Sequence, residues 1–93
     1  MHKWRGSIEF DPAKALGNYC KHGVSFAHAE QTLHDQKAIT IEDPDATGER
    51  RFVSLGMDAL GRVLVVVHAE RNERIRIISA RKASRGERRQ YLA

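Results

Sequence analysis

The chain has 93 residues, enough for one domain over residues 1–93 with a single core and too few for two. Hydrophobic residues make up 41% and charged residues 30%, which excludes a disordered chain, and no apolar run approaches the length of a membrane-spanning helix. Cys20 stands alone, which excludes an intrachain disulfide and a zinc site of paired cysteines. Met1, His2, Lys3, Trp4 and Arg5 do not form the apolar stretch of a signal peptide, so a cytoplasmic setting without membrane contact is expected. The net charge of +4 is unevenly spread. Residues 71–93 hold eight basic and two acidic side chains, a balance of +6, and the remainder sums to −2. Such a basic third steers towards a polyanion, either nucleic acid or an acidic protein partner.

Residues 5–10 alternate weakly and predict a first strand. Asp11 followed by Pro12 marks a helix start, an N-cap acceptor before a proline whose fixed φ suits the first turn. Ala13, Leu16, Tyr19 and Cys20 recur at helical spacing and predict the buried stripe, with Lys14, Asn18 and Lys21 on the solvent side. On that reading Leu16→Asp should be ruinous. Gly23 ends the helix in the left-handed conformation. Ser25 caps a second helix carrying Phe26, Ala29 and Leu33. Strands are predicted over residues 37–42, 49–57, 62–70 and 74–81. The third of these four is apolar on both faces and therefore central. Ser84, Arg85, Gly86 and Glu87 form a capping box that opens a C-terminal helix through Tyr91. The order β-α-α-β-β-β-β-α implies an α+β domain with helices packed on one face of an antiparallel sheet.

Phosphate-binding glycine loops, dinucleotide fingerprints, zinc-protease motifs and nucleophile elbows are missing from the sequence, so no cofactor is expected. Glu42, Asp43, Asp45 and Glu49 could offer oxygen ligands to a divalent cation, but Pro44 and Gly48 mark a turn where acids are expected in any case; no metal is assigned. His28 and His34 are six residues apart and read as surface histidines. What remains is a set of cationic and proton-transfer groups: Lys14, Lys21, His22, His68, Arg74, Arg76, Arg81 and Lys82. These suit RNA cleavage without metal, in which the 2′-hydroxyl attacks its own phosphate and the protein supplies a base, an acid and cations for the phosphorane charge. Arginine matches two phosphate oxygens with its planar fork. If the last hairpin closes over Arg71, Asn72 and Glu73, Glu70 pairs with Arg74 and His68 stands opposite Arg76 as an acid/base and clamp pair. A slip of one residue would break that pairing.

Ile8-Glu9-Phe10-Asp11-Pro12-Ala13-Lys14, then Asn18, then Lys21-His22-Gly23-Val24-Ser25-Phe26 resemble the opening of BrnT toxins. Residues 76–85, followed by Glu87, Arg88 and Tyr91, are similar to the closing motif of that family, with Phe10 replacing the usual tryptophan. The resemblance implies a RelE-like ribonuclease fold and toxicity through RNA cleavage and translation arrest. It also implies neutralisation by a ribbon-helix-helix antitoxin of the BrnA type, through which alone the toxin would meet operator DNA. By position, a Lys-His-Gly motif falls on Lys21, His22 and Gly23, and a Ser-Ala-Arg segment on Ser79, Ala80 and Arg81. The expected catalytic set is therefore Lys21, His22, His68, Arg76 and Arg81, with RNA held by Lys14, Arg74, Lys82, Arg85 and Arg88. The alternative is a module that binds nucleic acid or docks an antitoxin without cutting.

Overall fold

A computed structural model of the chain describes residues 7–93. The elements are β1 (Ser7–Glu9), α1 (Pro12–His22), α2 (Phe26–Leu33), β2 (Ile39–Glu42), β3 (Arg50–Met57), β4 (Val63–Arg71), β5 (Arg74–Lys82) and α3 (Arg85–Leu92). Class and order are those the sequence implies. Of the first predicted strand, Ser7–Glu9 form β1 and Phe10 lies beyond it, while Arg5 and Gly6 lie outside the described residues. Among the described residues no helix is long and apolar enough to cross a membrane.

The three helix starts are built by the capping residues. The Asp11 carboxylate accepts from the Ala13 N–H, the Ser25 hydroxyl from His28, and Ser84 and Glu87 form the reciprocal box. Gly23, at φ 69°, closes α1 with its N–H on the Tyr19 carbonyl.

The sheet runs β1-β5-β4-β3-β2 with β4 in the middle, as its apolar run requires. It is mixed rather than purely antiparallel, because β1 pairs with β5 in parallel while every other pair is antiparallel. The connection from β1 to β5 passes through the rest of the fold, so no hairpin forces an antiparallel pair there.

Alternation along β4 divides the core. Leu64 and Val66 turn to one face and pack with Val24, Phe26, Ala29, Leu33, Ile75, Ile77 and Ala80, beneath α1 and α2. Val63 and Val65 turn to the other, where Leu55, Ala83 and Tyr91 join them. The helices thus do not all share a face: α3 closes one end of the second face. On the first, α2 crosses β3 so closely that a Cβ at Gly56 would lie 2.9 Å from Thr32 Cγ2.

The expected stripe of α1 is reversed. Leu16 is 66% exposed and Tyr19 57%, Ala13 and Cys20 are also exposed, and the helix turns Asn18 inward. Asn18 Nδ2 donates to the carbonyls of Val24 (2.9 Å) and Ala80 (2.8 Å), and its Oδ1 accepts from the Ala80 N–H (3.0 Å). β1 stops at Glu9, opposite Arg76, so the edge of β5 beyond that point needs a partner. The Asn18 amide supplies one, binding both backbone groups of Ala80 as a strand neighbour would. A polar side chain with a backbone to satisfy here outranks four apolar ones. Leu16→Asp is accordingly expected to fold and to lose less than about 1 kcal/mol, as surface substitutions do, measured by urea unfolding.

Candidate active site on the open sheet face

The last hairpin turns on two residues, Asn72 and Glu73, both at positive φ (51° and 62°), the conformation whose twist matches a tight antiparallel pair. Its register puts Arg71 opposite Arg74, Glu70 opposite Ile75 and Ala69 opposite Arg76. The expected three-residue loop is therefore one residue too long, and both pairings built on it fail. Glu70 meets Arg50 (3.5 Å) instead, and Arg74 meets Glu9 (4.0 Å). His68 lies opposite Ile77 on the face beneath the helices and is fully buried, with Nε2 2.8 Å from the Ser54 hydroxyl and its ring stacked on Phe52. It does not stand with Arg76.

A bulge then resets β5. Val67 pairs with Ser79 and His68 with Ile77, leaving Ile78 as the extra residue. Strict alternation would put Arg76 and Arg81 on opposite faces. With the bulge, Ile75, Ile77 and Ala80 are buried while Arg74, Arg76 and Arg81 are exposed, all on the face away from α1 and α2. One added residue thereby gathers three guanidiniums on one surface.

That surface has two ends. At the hairpin end, Glu9, Glu49, Ala69, Arg71, Asn72, Arg74 and Arg76 line a cleft of about 500 Å³. Ala69 lies in the row between Arg51 and Arg76, and its small side chain leaves room. Arg76 is hydrogen-bonded to the Glu49 carboxylate, which lies just before β3 beside the turn made by Gly48. A carboxylate held by one guanidinium, with Arg71 and Arg74 lining the same cleft, can accept a proton next to a bound phosphate. Glu49, which the sequence presents only as one of the acids around a turn, is the carboxylate that the fold brings to Arg76 in this cleft. Its relation to Arg76 exists only through two successive strand registers.

At the other end, Arg81 forms a forked pair with Glu87 at 2.8 and 2.9 Å. This pair, then the Ser84 N–H, holds the Glu87 carboxyl down at about 2, well under its ordinary 4.5. A depressed folded value means the stabilisation is complete above about pH 4.5 and is lost as the pH falls towards 2. The stability difference between wild type and Glu87→Gln should shrink across that window in urea titrations. Arg81 is thus tied to anchoring α3. Arg85 and Arg88 are exposed on α3, whereas Lys82, exposed as well, lies opposite Leu64 and so on the helix side of β5, not with Arg81. Further along α3, the Tyr91 hydroxyl donates to Asp35 (2.5 Å); burial, then this bond, pushes the phenol up to about 12.

Asn18 sets the last turn of α1 by Ala80, so Lys21, exposed, and His22, half-buried, belong to the Ala80 end of β5 rather than to the hairpin. Lys14 is exposed near the start of α1. The expected catalytic set is therefore divided: Arg76, with Arg74, at the cleft; Arg81, Lys21 and His22 towards the far end of β5; His68 within the core. Among the acids proposed for a cation, Glu42 pairs with Arg50 and Asp43 accepts from the Asp45 N–H. A wider cleft of about 790 Å³ opens on the other face between α2 and β2, where Arg50 is already shared by Glu42 and Glu70.

The sequence profile of one family, described as the ribonuclease toxin BrnT of type II toxin-antitoxin systems, matches residues 10–87. The fold is similar to the crystal structure of the Brucella abortus ribonuclease toxin BrnT, with a TM-score of 0.64 and 25% identity over 86% of this chain and 99% of that one. No curated protein sequence matches. With a family profile spanning most of its length and the same fold in a solved member, the chain belongs to the BrnT family of type II toxin-antitoxin ribonuclease toxins.

Proposed function

We propose that this toxin cleaves RNA in the Arg76 cleft by a metal-independent transfer to the 2′-oxygen. The observation that carries the reading is the Arg76–Glu49 contact beside Arg74. A phosphate entering there displaces Glu49 from Arg76 and takes the guanidinium fork for itself. The freed carboxylate removes the proton of the 2′-hydroxyl, the 2′-oxygen bonds to phosphorus, and the bond to the 5′-oxygen breaks, that oxygen taking its proton from water. Arg74 and Arg76 hold the charge that builds on the phosphorane. The ionisable cleft residues are Glu9, Glu49, Arg71, Arg74 and Arg76, three positive and two negative. That balance suits a phosphate and repels a divalent cation.

The exposed Arg85 and Arg88 of α3 extend the surface for the RNA backbone, a contact that weakens with salt. Cleavage of this kind arrests translation by destroying message. The antitoxin partner, of the ribbon-helix-helix BrnA type, covers the same basic surface with an acidic segment and carries the pair to operator DNA.

Incubating purified protein with RNA with and without EDTA tests the reaction. Fragments bearing 2′,3′-cyclic phosphate ends should form equally in both. Activity that disappears with EDTA and returns with magnesium would overturn the mechanism, and RNA binding with no fragments would leave a binding module.

A further inference from the structure

The two edges of the sheet are treated differently. On one side β1 pairs with β5 only as far as Glu9, and Asn18 takes over the exposed backbone of β5 beyond it. On the other, β2 presents Ile39, Thr40, Ile41 and Glu42, all exposed, with no proline or lysine in the strand and, among the described residues, no neighbouring element outside it. Edge strands left in this state are ready to pair.

The hydrogen-bond phase of the edge is fixed. The Asp43 N–H donates to the Arg51 carbonyl across the register that sets Ile41 opposite Val53 and Ile39 opposite Leu55. Residues 39, 41 and 43 therefore bond inward to β3, and Thr40 and Glu42 direct their N–H and C=O groups outward. The Thr40 hydroxyl contact with Ser54 (2.8 Å) fits a close, non-bonded pair at that position. Ala38 spends its N–H on Asp35, leaving its carbonyl.

We infer that β2 is a self-pairing edge, through which a second copy of this chain joins the sheet in antiparallel register about Thr40. A two-fold axis normal to the sheet keeps each face in common, so the register must place a residue opposite itself. Centring on Thr40 lets the two Thr40 residues exchange both backbone bonds and gives each Glu42 N–H the Ala38 carbonyl of the other copy. On the open face it sets Ile39, 43% exposed, against Ile41, 67% exposed, twice. At the strand ends it brings Lys37 beside Asp43 of the other copy, a charge match that repeats by symmetry. Centring on Ile41 would oppose Thr40 to Glu42 and Ile39 to Asp43, leaving one Ile41–Ile41 pair in place of two isoleucine pairs. This self-match selects a second copy over an unrelated strand. Four residues per copy make a small interface, so the dimer is weak. The axis keeps both arginine clefts on one side of the joined sheet. Two strands separate Arg74 and Arg76, on β5, from the pairing edge.

Sedimentation equilibrium of the purified toxin should show a monomer–dimer exchange that reaches dimer mass at hundreds of micromolar. Ile41→Lys puts a charge where an isoleucine contact is made twice and should weaken it by more than about a hundredfold, with an unchanged melting temperature at low concentration. In a Cys20→Ser background, Ile39→Cys mixed with Ile41→Cys should give a disulfide-linked pair under mild oxidation, far faster than either variant alone. A wild type that stays monomeric, an Ile41→Lys dimer as strong as wild type, or crosslinking of each variant with itself would overturn the proposal. So would protection of the β2 amides from hydrogen exchange only when antitoxin is added. RNA cleavage by Ile41→Lys reads the Arg76 cleft separately, so either result stands without the other.

Discussion

Asn18→Ala should be among the most destabilising single truncations in this protein, although the residue lies on a helix whose large apolar side chains, Leu16 and Tyr19, face solvent. The Asn18 amide makes three buried hydrogen bonds, and its removal strands both backbone groups of Ala80 and one bond to Val24. An unsatisfied buried group costs ~1–3 kcal/mol, and Asn18 is only 8% exposed. A loss of ~3–5 kcal/mol is expected, against a total near 5–15 for a domain. Each kcal/mol shifts the midpoint by ~4–8 °C in a chain this short, so the melting temperature should fall by ~15–30 °C. Asn18→Asp keeps the shape but loses the donor and sets a carboxylate against two carbonyls; it should be at least as damaging. A thermal melt of Asn18→Ala within a few degrees of wild type would show that α1 is not pinned to β5 by this amide. The contrast with the mild effect expected of Leu16→Asp is the sharper test, since hydrophobic periodicity alone ranks the two the other way.

That reversal marks where the sequence is legible. Local chemistry reads well: Asp11-Pro12, Gly23, Ser25 and the Ser84–Glu87 box all act within a few residues, and each builds the boundary it signals. The central strand also reads well, because the unbroken apolar run of residues 63–67 suits a strand covered on both faces there. Periodicity fails on α1 because the need that orients it is not its own. The unpaired backbone of Ala80, 62 positions away, decides which face turns in.

The site is less legible for a related reason. Arg74, Arg76 and Arg81 stand out in the sequence as residue types, yet their common face depends on the bulge at Ile78, which period-two alternation cannot anticipate. The place of His68 depends on a turn of two residues rather than three, with Glu73 accepting a left-handed conformation that its side chain disfavours. A single residue of register moved the histidine from the phosphate surface into the core. Glu49 gained its place by the same arithmetic, through one register between β3 and β4 and another between β4 and β5.

The kinetic consequence is an expected split between Glu49 and His68. Glu49→Gln preserves size and a hydrogen-bonding partner for Arg76 but cannot take a proton, so RNA cleavage should fall by ~10²–10⁴, the range for a general base. RNA binding should hold or tighten, because a negative charge leaves the cleft. Arg76→Ala should cost ~10²–10³ in rate, as loss of a transition-state charge partner does, and should weaken binding as well. The two defects should not multiply in the double variant, since each residue acts on the same phosphate and is set by the other. His68→Gln, by contrast, should act through stability: its ring is packed on Phe52 and bonded to Ser54 on the far side of the sheet. Its cleavage rate per folded molecule should stay near wild type. Single-turnover cleavage of a short RNA, normalised to the folded fraction, decides the matter. A Glu49→Gln protein with wild-type rate, or a His68→Gln protein that is folded and dead, would move the chemistry out of the Arg76 cleft.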